Sequence, residues 1–432
     1  MTQKNLTRIA QLRQMKSEIR GSNDYMIVGI DIAKESHLAF FGTPNGKRLS
    51  KRLSFKNDEK GFSKLLLQVE TIRIKNGIEK VLYGLEPTAN YHKPLAEYLI
   101  LKGNSTVLVD NWAAKNNRSL LDGRWDKNDA KDSANVADLL SQGKCLYYDY
   151  PSDSINKLRG LLSLRRKLKK QEHSFFMRIR NHLVTQFFPE MDKFFNKLPE
   201  ECCSIVKHCL DPKKIDSMDF SLFFDRVTTR RKSLSQVNYL KKIYDLAGQS
   251  IGCKVTEASE LEGSLLVESL RHIQGSTKKV EKEMETLCKQ IPEYYFVLSI
   301  PGFGPIISAM VLGAIGDPNR FKSGKAVLKL AGLDLSASRS GKYSMYANAS
   351  ISKKGKAELR YGLYHAANIA SSRVKDFIIY FNLKVDPRKK EKGIKTKMRV
   401  KLSGKMLIIA WTLMKKKVKF DSNFLVLEKD SI

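Results

Sequence analysis

The sequence predicts a multidomain protein with an α/β N-terminal layer built on a mixed sheet. A long helical, coiled-coil-like middle and a mostly helical C-terminal domain follow. Three observations carry this. Apolar strand runs alternate with amphipathic helical patterns through the first 150 residues. Strand signals stop near Pro151, after which apolar residues recur at helical spacing. Near residue 300, Pro301-Gly302-Phe303-Gly304-Pro305 breaks the apolar pattern ahead of an alanine-rich helix, a helix-hairpin-helix-like turn. The expected spans are a leader at 1–24, the α/β domain at 25–150, the helical region at 151–290, the C-terminal domain at 291–420 and a tail at 421–432.

Each element has its own warrant. Met26 to Ile32 is an apolar run bounded by polar residues, the pattern of a buried strand. His37 to Gly42 makes a second strand, Thr43-Pro-Asn-Gly46 supplies turn residues, and Arg48 to Phe55 alternates as a third. Phe62, Leu65, Leu66 and Val69 then repeat as one face of a helix. Val81 to Leu85 is the fourth strand, a helix starts at His92, and Ser105 to Val109 is the fifth strand. Helices over about 111–120 and 129–140 close the domain. In the middle region, Leu158, Leu161, Leu162, Leu168, Phe175, Ile179 and Leu183 keep an approximately helical spacing. Residues 256–290 are again helical, so the two stretches pair as a hairpin or dimerise as a coiled coil.

Charge narrows the function. There are 77 Lys and Arg against 45 Asp and Glu, a formal net charge of +32. Such an excess resists compaction without a polyanionic partner, and nucleic acid is the first candidate. Residues 157–186 hold nine basic residues against one acid, and residues 384–419 hold fourteen against two. The second of these is expected to fold poorly on itself without a polyanion nearby. No apolar run reaches the roughly 18–20 residues of a membrane span, the N-terminus lacks a signal-peptide core, and six cysteines are sparse for this length. The expected setting is therefore cytoplasmic and reduced, with no membrane. A turn such as 301–305 exposes backbone N–H groups at a helix start, a seat for phosphate, although an ordinary interhelical turn reads the same way.

The carboxylates carry the chemistry. Asp31 sits inside an apolar strand, where an uncompensated charge is costly. Glu86 follows the fourth strand directly before Pro87. Asp129 and Asp132 open a helix three residues apart and share one face, which Val136 and Leu139 continue toward the core. Asp138 falls opposite Asp129 and is expected to face solvent, while Asp126 precedes the helix. Acids converging from two strands and a helix suit a pair of Mg²⁺ ions acting on a phosphodiester. Singly, each acid has a plainer explanation as a helix cap or a dipole partner.

Val28-Gly-Ile-Asp-Ile-Ala-Lys34, Glu86-Pro-Thr-Ala-Asn-Tyr-His-Lys-Pro-Leu95 and Lys127-Asn-Asp-Ala-Lys-Asp-Ser-Ala-Asn-Val-Ala137 resemble the acidic motifs of the DEDD transposases of bacterial insertion sequences. Pro301 to Pro305, Ala331-Gly-Leu333, Ser340-Gly-Lys342 and Lys354 to Arg360 are similar to that family's downstream motifs. The resemblance implies an RNase H-like (RuvC-like) N-terminal domain, a C-terminal transposase domain, and a recombinase guided by a structured noncoding (bridge) RNA. It implies Asp31, Glu86, Asp129 and Asp132 as the Mg²⁺-binding tetrad and Ser340 as the nucleophile. Leu335 stands where the family favours proline, and Gly341-Lys342 follows Ser340 directly, so Ser338 remains the alternative. The implied partners are donor and target DNA, the guide RNA, and further copies of the chain as a dimer assembling to a tetramer. The implied location is the bacterial nucleoid. A metal-dependent, structure-specific (Holliday-junction-like) endonuclease without serine chemistry is the alternative.

Other groups carry less. Cys202, Cys203, His208 and Cys209 lack paired C-x-x-C spacing and make a weak zinc site. His92 reads as a helix-start residue, and no G-x-x-x-x-G-K-[ST] phosphate loop appears in the sequence.

Overall fold

A six-stranded mixed sheet organises the N-terminal unit, in the order β3-β2-β1-β4-β5-β6. The computed structural model describes residues 2–122, 129–228, 233–336 and 350–426, and it divides into two compact units, Met1–Ser152 and Asp153–Ile432. Strands β1 (Tyr25–Asp31), β2 (Ser36–Gly42) and β3 (Leu53–Lys56) form an antiparallel meander. Strands β4 (Lys80–Leu85) and β5 (Ser105–Leu108) add in parallel on the other side of β1, and the short β6 (Leu146–Tyr147) ends the sheet antiparallel. The parallel crossovers use helices, as a parallel pair requires: α2 (Glu59–Asn76) and α3 (His92–Leu101). Two separate cores line the sheet, one containing Phe41, Leu65, Tyr83 and Leu95, the other Ile27, Leu82, Val136 and Leu140. This is the RuvC-like layered arrangement the resemblance implies.

The residues assigned to a leader include α1 (Thr2–Glu18), which ends on Met15 and Ile19, both buried beside Val107 and Leu139. Helices α4 (Asn111–Asp122) and α5 (Asp129–Ser141) complete the unit.

In the second unit, α6 (Asp153–Arg178) continues into a π-helical turn, Ile179–Val184. It packs along the helix Glu257–Lys289. Arg165 Nε lies 2.7 Å from Glu281 Oε1, and Arg178 Nη2 lies 3.5 Å from Glu262 Oε1. The rising number meets the falling one, so the two helices form an antiparallel hairpin within the chain. At the far end of the hairpin a helical head has its own core, including Phe188, Phe195, Phe223 and Ile243. Cys202, Cys203 and Cys209 are buried in that core, and burial pushes the Cys203 thiol up to about 11. At the near end a second core gathers Leu158, Met284, Leu312, Leu363 and Leu407.

The basic segment 384–419 departs from expectation. Its helix runs over Ile394–Lys416, and Leu402, Met406, Leu407, Ala410 and Leu413 are buried in that second core. Lys405 is itself buried, its Nζ donating to the Leu425 carbonyl at 2.6 Å and lying over the Tyr380 ring at 4.5 Å. One apolar face was enough to fold the segment, because its lysines sit mainly before and after that face. Among the described residues, no helix is long and apolar enough to cross a membrane.

Candidate active site

Ile30 pairs in register with Leu85 across parallel β1 and β4. The next residues, Asp31 and Glu86, therefore leave the C-terminal ends of neighbouring strands, where open α/β sheets place their ligands. Both side chains are half-buried. The segment after Glu86 is tethered: Asn111 Nδ2 donates to the Pro87 carbonyl at 3.2 Å, and the Val109 N–H donates to the Leu85 carbonyl at 3.0 Å. Ala89, three residues on, holds a left-handed φ of 44°, a strained conformation for a residue with a β-carbon.

The third carboxylate comes from α5. A β-carbon on Gly29 would lie 2.3 Å from the Ser133 carbonyl oxygen and 2.6 Å from the Ala137 nitrogen. The helix backbone thus rests directly on β1, two residues before Asp31, and Asp132 is the neighbour of the contacting Ser133. Asp132 is only 2% exposed. Arg118 Nε, from α4, lies 2.5 Å from Asp132 Oδ1. Neither atom makes a hydrogen bond, since the N–H is not aimed at the oxygen. The two form an ion pair rather than an aligned hydrogen bond. Asn117 and Asn135 clasp the two helices further: Asn117 Nδ2 donates to Asn135 Oδ1 at 2.9 Å and to Asp138 Oδ2 at 2.7 Å, and Asn135 Nδ2 donates to the Ala114 carbonyl at 2.7 Å. Asp138 is accordingly half-buried against α4, contrary to the solvent-facing position its helical angle suggested. The wheel angle located it correctly, but α4 covers that side.

The Asp129 side chain lies outside the described residues, as do Asp126, Ser338 and Ser340. His92 is the first residue of α3, and burial lowers its pKa. The donors at hand, carboxylate oxygens at two neighbouring strand ends and one on the helix laid against β1, are of the type a hard divalent cation takes. Among the described residues, no three His, Cys, Asp or Glu side chains are gathered into a cage. Arg118 and Gly29 are the residues that sequence reasoning missed. A lone glycine inside an apolar strand signals close backbone approach and would have pointed to Gly29. Arg118 has no sequence signal, because its partner lies fourteen residues away on another helix.

In the second unit, β7 (Leu335–Ser336) and β8 (Ser350–Ile351) form a short antiparallel ladder at the two ends of residues 337–349, which contain Ser338 and Ser340. The described residues that flank this stretch meet backbone against backbone. Gly332 ends the helix Gly324–Ala331 with φ +64°, and a β-carbon there would lie 2.8 Å from the Lys353 carbonyl carbon. A β-carbon on Gly355 would lie 2.3 Å from the Gly332 nitrogen. Ser352 Oγ donates to Asp334 Oδ1 at 2.5 Å, and Arg360 Nη1 donates to the Ala331 carbonyl at 2.8 Å. The Gly-Leu motif and the Lys-Gly-Lys motif, twenty residues apart, thus meet at one joint. The 301–305 turn is fixed similarly: Gly302 takes φ +89°, and a β-carbon there would lie 2.7 Å from the Ala366 carbonyl oxygen.

Comparison with known families agrees with this layout. Residues 28–189 match the DEDD transposase model of the IS110 type, and residues 294–381 match the transposase IS116/IS110/IS902 family. No curated protein matches the chain. The protein is a transposase, an enzyme that acts on DNA. It belongs to the IS110-type family of DEDD transposases. That membership implies a nuclease dependent on a divalent metal, with DNA as a partner.

Proposed function

We propose that this transposase is a recombinase that cuts DNA with a serine and rejoins it, using Asp31, Glu86, Asp129 and Asp132 to hold Mg²⁺ and a structured noncoding RNA to choose its sites. The observation that supports the reading is Asp132: a nearly inaccessible carboxylate, next to the Ser133 that rests on Gly29 of β1, with Arg118 as its counter-charge. A carboxylate buried this deeply stays charged only beside a cation, a place that the guanidinium holds and a metal ion could share.

Bound Mg²⁺ would polarise the scissile phosphate and stabilise the leaving oxygen. The protein's own part is positioning. Asp31 and Glu86 leave adjacent strand ends, and the Gly29 contact holds the helix that carries Asp132 against β1. Arg118 neutralises Asp132 in the metal-free protein. Ser340, with Ser338 as the alternative, belongs to residues 337–349, whose flanking segments are joined at Gly332 and Gly355. The serine oxygen bonds to phosphorus, its proton passes to solvent or a neighbouring base, and one P–O bond of the strand breaks. The products are a phosphoserine ester and a free DNA hydroxyl. Attack by another strand's hydroxyl reverses the step and regenerates the serine, so the sequence needs no nucleotide hydrolysis. Joining strands requires several cuts held together, which supports a dimer that pairs into a tetramer on donor and target DNA.

The test is the adduct. Wild-type protein with Mg²⁺, copurified RNA and both DNA partners is expected to give a covalent protein–DNA species that maps to Ser340. Ser340→Ala is expected to abolish it while DNA binding persists. A label on Ser338 moves the nucleophile by two residues. Free DNA ends without adduct would establish the metal-dependent endonuclease instead.

A further inference from the structure

The helical head carries a cavity of about 540 Å³ that the catalytic reading does not use. Neither family match reaches it, since one ends at residue 189 and the other begins at residue 294. It is open to solvent over much of its area, a groove more than an enclosed pocket. Lys193, Phe194, Lys197, Tyr239, Lys242 and Asp245 are among its lining residues. Three cations therefore face one anion. Tyr239 and Lys242 lie three residues apart on the helix Leu234–Ala247 and share a face. Lys193 belongs to the 3-10 turn Pro189–Phe194, and Lys197 follows that turn.

The aromatic and cationic groups are already stacked. Phe194 and Tyr239 meet edge to face, with centroids 6.2 Å apart at 67°. The Lys197 ammonium lies 4.7 Å over the Tyr239 ring, and the Lys193 ammonium lies 5.4 Å over Phe194. A cation on a ring face is the weaker of the two contacts available to that ring; a stacked base is the stronger. One ligand exchanges both at once, its base taking the ring and its phosphates taking the displaced ammonium groups. A duplex offers phosphates but hides its base faces, so the ring selects an unpaired strand.

We infer that this cavity binds an unpaired nucleotide of a single-stranded RNA or DNA segment, with the base stacked on Tyr239 and the phosphates held by Lys193, Lys197 and Lys242. The inference requires neither the metal site nor the serine, so it stands or falls separately from them.

The experiment uses the full chain with 12-nucleotide RNA and DNA strands carrying 5-bromouracil, and a duplex of the same sequence. Ultraviolet cross-linking is expected to place an adduct on Tyr239 or Phe194. An adduct with RNA alone identifies RNA as the source, and one with DNA alone identifies DNA. Tyr239→Ala is expected to weaken single-strand binding by about fivefold or more, with Tyr239→Phe close to wild type and the duplex unaffected. Changing Lys193, Lys197 and Lys242 together to Gln is expected to lower the salt slope for single strands by about two. Equal losses for strand and duplex, failure of Tyr239→Phe to retain binding, or unchanged affinity in Tyr239→Ala with no adduct in the head would each overturn it. Melting curves of the variants verify that the head remains folded.

Discussion

Gly29 and Gly84 are partners in register across the two central parallel strands, and α5 lies on both. A β-carbon on Gly84 would lie 2.3 Å from Leu140 Cδ1, a side chain that can yield. A β-carbon on Gly29 would meet helix backbone, which cannot. Gly29→Ala is therefore expected to cost about 3 kcal/mol, at the upper end of overpacking effects, and to lower the melting temperature by roughly 10 °C. Gly84→Ala should cost less than half as much. Thermal unfolding of the two variants side by side checks the order.

Arg118 is the charge partner of Asp132, and the pair is largely buried, with side-chain exposures of 21% and 3%. Arg118→Met leaves a buried carboxylate without a counter-charge. The expected cost in metal-free buffer is about 2 kcal/mol, below the roughly 3–5 kcal/mol of a fully enclosed pair. Millimolar Mg²⁺ should recover more stability in this variant than in wild type, since the cation replaces the guanidinium. Melting temperatures with and without Mg²⁺ measure this. Equal Mg²⁺ responses would show that no cation reaches Asp132.

Replacing Asp31 or Asp132 with Ala is expected to reduce Mg²⁺-dependent strand cleavage by more than the roughly 10–100-fold typical of residues that only support a metal ligand. Cleavage of a labelled DNA substrate, assayed on folded protein, decides it. Wild-type rates in both variants would remove the metal assignment.

These residues also show what a sequence can and cannot reveal. Asp31 and Glu86 were legible because a charge inside or at the end of an apolar strand is conspicuous, and the strand runs themselves fixed where they sit. The Arg118 pairing was not, because an ion pair between two helices depends on their packing. The N-terminal helix was missed for a similar reason: its buried contacts are few, and Met15 and Ile19 stand among polar residues. The head shows no single apolar period in the sequence. Its helices are short, and their apolar faces follow three-dimensional neighbours instead of one long period.

His37 is buried beside Phe55 and Phe62, and burial lowers its pKa below the ordinary 6.5. Below about pH 6.5 the unfolded chain binds a proton at this residue that the folded chain does not, so stability falls as pH falls. His92 is shifted in the same direction by the same cause. The melting temperature should drop between pH 7.5 and 5.5, and His37→Phe should reduce the drop. An unchanged slope in that variant would assign the effect to other groups.

The net charge of +32 predicts steep salt dependence for nucleic-acid binding. Contact with six to ten phosphates would lower affinity about 10³–10⁵-fold between 50 and 200 mM salt. Purification at low salt is expected to retain one specific noncoding RNA, identified by sequencing the bound fraction. A heterogeneous pool of cellular RNA would argue against guided recognition.

The antiparallel hairpin returns the chain to where it left. Arg178 and Glu262 stand 3.5 Å apart at the boundary of the head, although 84 positions separate them in sequence. The stretch between them builds a core that also takes in Leu266, Val267 and Leu270 of the hairpin arm. A short turn in place of that stretch would leave the second core untouched but would bare those three side chains. The head is thus a cassette with one seam: an engineer can shorten or trade it there, provided that the three apolar side chains on the arm are covered again or made polar.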